Sequence, residues 1–248
     1  MDFKGLAASL AALLVGVTAS AAADQALPQA GAVYMAGNGA ELSWYASAKI
    51  GVALPGTINM TATATGLPEL TGDAHFNAGM AGAVAVGKYL TPNFRAEAEL
   101  AIANNEGDSF SGTFAGFGPT SGTLSGSVTT VSVMAMGYYE FSQFGDFVPY
   151  LSAGLGAANV SSELTYNDPV SFGGINGTIT GDSTIFAGRL GAGFQYALSD
   201  NVDLTADYTL LIGSRANFTY TNASGIGNRN VSAGVLGHAL ALGLKARF

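Results

Sequence analysis

The chain has 248 residues, 48% of them hydrophobic and only 10% charged, with 35 Gly, two His, no Cys and a net charge of −8. Soluble domains carry about 25% charged residues and about 7% Gly, so this balance excludes a disordered tail or a coiled coil. Nine Lys plus Arg against 17 Asp plus Glu exclude a nucleic-acid partner, and the lack of Cys excludes disulfide frameworks, thiolate zinc sites and Cys nucleophiles.

Residues 1–23 read MDFKGLAASLAALLVGVTASAAA. Lys4 marks a short n-region, Leu6 to Val17 is an apolar run, and Ala19-Ser20-Ala21 and Ala21-Ala22-Ala23 are small-x-small cleavage sites. This pattern predicts a secretory signal peptide; the apolar run is shorter than the ~20 residues that cross a bilayer as a helix. Residues 24–43 follow as a periplasmic lead, and 44–248 as the folded domain. No later stretch reaches 18 consecutive apolar residues. An exported, charge-poor, apolar chain without such a stretch has one membrane solution, a closed β-barrel, because closure satisfies every backbone polar group in lipid.

Eight segments with period-2 patterning predict its strands, at 44–54, 75–88, 94–104, 127–141, 147–160, 183–196, 202–212 and 236–248. In the first, Trp44, Ile50, Val52 and Leu54 oppose Tyr45, Ser47 and Lys49; in the second, Phe76, Met80, Val84 and Val86 oppose Asn77 and a run of Gly and Ala. In 94–104, Phe94, Leu100 and Ile102 share a face with Ala96 and Ala98, while Arg95, Glu97 and Glu99 share the other, a separation that a helix would scatter. Val131, Val133, Tyr139 and Phe141 then oppose Ser132, Tyr138 and Glu140, and Leu151 and Leu155 oppose Tyr150, Ser152 and two Gly. Phe186, Leu190, Phe194 and Tyr196 oppose Arg189 and Gln195; Val202, Leu204, Tyr208 and Leu210 oppose Asp203, Thr205 and Asp207; Leu240, Leu242, Leu244 and Phe248 oppose Lys245 and Arg247. Turns of five residues at 89–93, 142–146 and 197–201 alternate with loops of some twenty at 55–74, 105–126, 161–182 and 213–235. Short periplasmic turns and long extracellular loops give outer-membrane barrels this asymmetry. The fold class is therefore all-β: an eight-stranded, antiparallel, up-and-down transmembrane barrel.

Aromatic side chains gather at the turn end. Trp44, Phe94, Tyr139, Phe141, Phe194 and Tyr196 predict an interfacial girdle, with Tyr89, Phe147 and Tyr150 near them. Ten charged residues of the strands share the inward phase, the rest lying at a strand edge, in the lead or in loops and turns. Lys49, Arg95, Glu97, Glu99, Glu140, Arg189, Asp203, Asp207, Lys245 and Arg247 predict a lumen ion-pair network of five cations and five anions. It reads either as a plug in a barrel just wide enough for side chains or as a gated ion path, and inward Gly and Ala leave room for water.

The motifs WYASAKIG (44–51), VSVMAMGYYEF (131–141), PYLSAGLG (149–156), FAGRLGAGFQY (186–196), NVDLTADY (201–208) and the closing HALALGLKARF resemble the small outer-membrane β-barrel family, the opacity-type, OmpA-like porin superfamily of Gram-negative bacteria. The resemblance implies an outer-membrane location, lipid and lipopolysaccharide around the barrel, and loops that meet host or surface ligands. Leu240, Leu242, Leu244 and Phe248 resemble the C-terminal signal read by the barrel-assembly machinery, with Ala246 where an aromatic is usual.

Three functions stay open: a non-enzymatic structural or surface-exposed role (membrane integrity, surface antigen or adhesin-like loops), a narrow pore for ions or small solutes, and a lipid hydrolase. The hydrolase is the weakest. His75 and His238 have no marked Ser partner, and Gly154-Leu155-Gly156 and Gly191-Ala192-Gly193 lack a full dinucleotide fingerprint. No cofactor and no metal site is expected. Glu69, Asp73, Glu106, Asp108, Glu163, Asp168 and Asp182 predict an acidic outer face, relieved by Arg215 and Arg229.

Overall fold

The computed structural model describes residues 43–141, 147–169, 175–222 and 228–248. The signal peptide, the lead up to residue 42 and the turn at 142–146 lie outside the described residues. Ten strand segments follow in chain order: β1 (Trp44–Pro55), β2 (Ile58–Thr63), β3 (Leu70–Phe76), β4 (Gly79–Tyr89), β5 (Phe94–Phe114), β6 (Gly118–Glu140), β7 (Phe147–Asp168), β8 (Ile175–Ala197), β9 (Val202–Asn222) and β10 (Arg229–Arg247). β1 pairs with β4, β4 with β5, and each later strand with its successor, all antiparallel. β10 returns to β1, from Tyr45↔Arg247 to Pro55↔Gly237. β2 and β3 continue β1 and β4 past breaks at residues 56–57 and 77–78; β2 takes over the pairing to β10, and β3 the pairing to β5. The ring therefore counts eight strands, closed without a free edge, as the sequence predicts.

The strands are longer than expected. β6, β7 and β8 contain 23, 22 and 23 residues, twice the ~9–11 that span a membrane when tilted. Most of the stretches read from the sequence as long loops are strand: β5 and β6 run on until only residues 115–117 join them. The reason is an inversion of polarity, plainest on β7. Its outward residues are Leu151, Ala153, Leu155 and Ala157, then Asn159, Ser161, Glu163, Thr165 and Asn167. Its inward residues are Tyr150, Ser152, Gly154 and Gly156, then Ala158, Val160, Ser162, Leu164, Tyr166 and Asp168. β8 does the same: outward Phe194, Leu190 and Phe186 give way to Thr184, Asp182, Thr180 and Thr178.

Below the switch the wall is apolar outside, as lipid requires. Above it the wall is polar outside and encloses an apolar core that includes Met60, Phe110, Leu124, Leu164, Ile179 and Phe218. Each such large side chain contributes about 1.5–3 kcal/mol when fully buried, so the extension holds together as a water-exposed barrel does.

Two strands cross the switch by shifting phase. On β5 the inward residues are odd-numbered from Arg95 to Asn105 and even-numbered from Phe110 to Phe114, with the register shift against β6 between Glu106 and Ser109. Gly126 lies opposite this shift with φ at 102°, and a Cβ there would overlap the Glu163 carbonyl; only Gly adopts that backbone without strain. On β9 the phase changes between Leu211 and Ala216, across the register shift against β8. The break at residues 77–78 also changes phase. Phe76, expected on the lipid face with Met80, packs instead against the apolar core of the extension.

Candidate functional site

The turn-end half of the lumen is filled by charge. All ten residues of the expected network face inward, and each has an ion-pair partner. Arg95 is the hub near the turns: its Nη1 donates to Glu97 at 2.8 Å and its Nε to Glu140 at 2.7 Å. Lys245 lies 3.1 Å from Asp203 and 3.7 Å from Glu140, and Arg247 donates to Asp203 at 2.6 Å. One layer toward the loops, Lys49 bridges Glu99 at 3.6 Å and Asp207 at 3.4 Å, and Arg189 pairs with Glu99. Strand adjacency puts Asp203 and Asp207 both beside the strand of Lys245 and Arg247, and Asp203 does pair with these two. Asp207 instead reaches across the lumen to Lys49 on β1, a contact that strand adjacency does not reveal.

Charge in a narrow interior is stable only when paired and hydrogen-bonded, and tyrosines complete the set. Tyr45 donates to Glu97 at 2.8 Å, Tyr138 to Glu97 at 3.2 Å, Tyr150 to Asp207 at 2.6 Å and Tyr89 to Glu140 at 3.1 Å. The Arg95 guanidinium lies 3.6 Å from the Tyr138 ring centroid and 5.3 Å from those of Tyr45 and Tyr150. Gln195 donates to Glu140 at 3.0 Å, and Arg189 donates to Ser132 at 2.9 Å. Sequence reasoning put Tyr45, Tyr138 and Gln195 on the inward face but left them out of the network, and grouped Tyr89 and Tyr150 with the rim aromatics. Their odd or even phase, shared with the neighbouring charges, was the available signal.

Two of the inward glycines at this level lie under tyrosine rings. Tyr45 faces Gly87 in register and Tyr150 faces Gly193, and a Cβ on either glycine would overlap the ring that covers it. Gly87→Val therefore displaces Tyr45 from Glu97, with a destabilisation of about 1–3 kcal/mol from overpacking, measurable as a lower urea midpoint of the refolded protein.

The remaining sequence-predicted residues face outward. Trp44, Phe94, Tyr139, Phe194 and Tyr196 are exposed at the turn end, and Phe141 is half-buried with its ring 5.1 Å from Tyr139. Lys88, the charge on the outer wall here, lies 5.3 Å from the Trp44 ring. Leu240, Leu242, Leu244 and Phe248 are exposed on one face of the last strand, and the Phe248 N–H donates to the Trp44 carbonyl at 2.9 Å. His238 also faces outward, 2.6 Å from the Tyr208 hydroxyl, and His75 is exposed on β3. Two residues assigned to the acidic outer face and its relief point inward instead. Asp168 is fully buried and accepts from Thr120 at 2.5 Å. Arg229 donates to the Pro68 carbonyl at 2.6 Å and lies 5.5 Å from the Phe114 ring. Both follow from the strand extension, which gives "loop" residues an inside.

A closed antiparallel ring with an apolar belt outside and paired charge inside defines an integral outer-membrane β-barrel. The profile described as "Outer membrane protein beta-barrel domain" matches residues 9–248, and the chain belongs to that family. It is similar to outer membrane protein PagN of Salmonella typhimurium (strain LT2), with 35% identity over 99 residues; that stretch spans 40% of each protein, well under two thirds of PagN. It is also similar to a protein of Rickettsia bellii (strain OSU 85-389) provisionally named an adhesin, 26% identical over 162 residues, or 62% of this chain and 68% of that one. Among solved structures it resembles the outer membrane protein OprG of Pseudomonas aeruginosa, with 14% identity, a TM-score of 0.49, and 84% and 96% of the two chains covered.

Proposed function

We propose that this protein is a non-catalytic surface protein whose plugged barrel holds a rigid β-extension out from the membrane for contact with ligands outside the cell. The observation that carries this reading is the polarity switch. Each long strand runs well past the lipid belt with Ser, Thr and Asn outward, as on β7, a surface made for water and for polar partners rather than for lipid. The name of the Rickettsia relative supports an adhesin-like role. The charge network is the floor that keeps the wall closed, the outward aromatics anchor the periplasmic interface, and Leu240, Leu242, Leu244 and Phe248 form the segment offered to the barrel-assembly machinery. Lipopolysaccharide surrounds the belt.

Two measurements test the reading. Refolded protein in planar bilayers gives no conductance steps; discrete steps would replace the plug with the narrow pore. Trimming the β5–β6 hairpin at the Ser109↔Thr123 pair leaves heat-modifiable gel migration intact and lowers adherence of expressing bacteria to epithelial monolayers several-fold. Unchanged adherence of the trimmed, folded protein would remove the hairpin from the contact surface.

A further inference from the structure

The apolar core of the extension is not solid. A cavity of about 300 Å³ lies inside its upper part, walled by Met60, Phe110, Phe114, Leu124, Ile179 and Val231. That size suits a small ligand, and four polar side chains, Tyr166, Tyr220, Asn222 and Arg229, break the apolar lining. Tyr220 is buried, and its hydroxyl has no hydrogen-bond partner among the described residues. Arg229 pairs with Tyr220 in register across β9 and β10, and one of its amino groups is committed to Pro68. Arg229 is the charged side chain of this lining. Asp168 does not line it and is held behind Tyr166 by Thr120.

A buried hydroxyl left without a partner is destabilising, and a guanidinium has five donors for acceptor ligands. Arg229 and Tyr220 both line this largely apolar space. Below, Met60 also lines a second cavity of about 160 Å³ bounded by Val160, Leu164 and Phe218 and floored by Lys49, Glu99, Arg189 and Asp207 of the plug. From Arg229 to Val235, which lines this lower cavity, is roughly 20 Å of strand. The interior of an eight-stranded barrel has room for at most one small ligand, and the two spaces lie one above the other along the strands.

The geometry points to a binding site for a single linear acyl chain with a carboxylate or similar anionic head: the head on Arg229 and Tyr220, the tail running down past Met60 toward the plug. The wall is also discontinuous beside this column. β1–β4 pairing ends at Ala53↔Gly79 and β2–β3 pairing begins at Ile58↔Ala74, and the Asn105 amide bridges the gap to the Ala53 and Asn77 carbonyls. A chain can therefore reach the column from the aqueous end or from a lipid beside β1.

The test uses full-length mature protein in lipid nanodiscs, photolabelled with dodecanoate carrying a terminal diazirine and, separately, with phosphatidylglycerol carrying the diazirine on an acyl chain. Labelled residues are mapped by mass spectrometry. Label on Met60, Leu164 or Phe218 from either probe supports the site, the free acid indicating the aqueous route and the phospholipid the lateral one. Ala62→Phe, which fills the column, lowers lumen labelling by an order of magnitude. Arg229→Gln lowers labelling by the acid several-fold and leaves labelling by the matching alcohol unchanged. Heat-modifiable migration confirms that each variant folds. Label confined to lipid-facing residues such as Leu240 and Leu242 overturns the site, and equal loss of acid and alcohol in Arg229→Gln overturns the anionic head.

Discussion

Arg95→Met destabilises the folded barrel by about 3–5 kcal/mol, the penalty for removing one partner of a buried charge pair. The expectation follows from what Arg95 leaves behind. Glu97 is fully enclosed, and Arg95 is its ion-pair partner among the described residues. Without the guanidinium its carboxylate keeps only the Tyr45 and Tyr138 hydroxyls. Glu140 is better placed, because Lys245, Tyr89 and Gln195 remain around it. The loss is thus concentrated in Glu97, and the second substitution is chosen accordingly: Arg95→Met with Glu97→Gln recovers a large part of the stability lost by Arg95→Met alone. The measurement is equilibrium urea unfolding in lipid vesicles. A change within about 0.5 kcal/mol for the single variant, the size expected of an ordinary surface site, would show that the lumen is wet enough to solvate Glu97, and the plug would lose its physical basis.

The same pairing shows what could be read from the sequence and what could not. Arg95, Glu97 and Glu99 alternate on one strand, so their common face and the strand itself were plain, as were the phases of β7 and β8, which run unbroken from end to end. Lys49 with Asp207 was not visible, because β1 and β9 are not neighbours in the ring and meet only across its interior. The length of the strands was hidden for a different reason. Above the lipid belt the outward residues are Thr, Ser and Asn with frequent Gly, a composition shared with loops, and the apolar residues have moved to the other face. A reader searching for apolar-outward alternation stops where Leu155 and Ala157 give way to Asn159 and Ser161. The phase changes on β5 and β9 and at residues 77–78 added to this, since a one-residue shift sends every later side chain to the opposite face. Phe76, Asp168 and Arg229 were each misplaced by one of these two causes.

That inversion predicts opposite responses to the same substitution on one strand. Leu190 is exposed midway along the apolar run from Phe186 to Phe194 on β8, so Leu190→Arg places a cation near the middle of the lipid belt and costs about 2–4 kcal/mol. Thr178 is exposed on the same face of the same strand, beyond the switch, with Thr165 and Thr221 beside it in register. Thr178→Arg therefore stays within about 0.5 kcal/mol of the parent. Backbone pairing and strand propensity are alike at the two sites, and the solvent outside the wall is what differs. A third variant separates an ordered extension from solvated loops: Leu164 is buried inside it, and Leu164→Ala costs about 2–5 kcal/mol by removing buried contacts and enlarging the cavity that Leu164 bounds. Urea unfolding in vesicles reads all three. Equal penalties at Leu190 and Thr178 would put the extension in lipid, and a negligible effect at Leu164 would mean that its interior is not packed. With the expected ordering, one polypeptide wall serves two solvents, and the plug and the apolar chamber above it are the interiors each solvent demands.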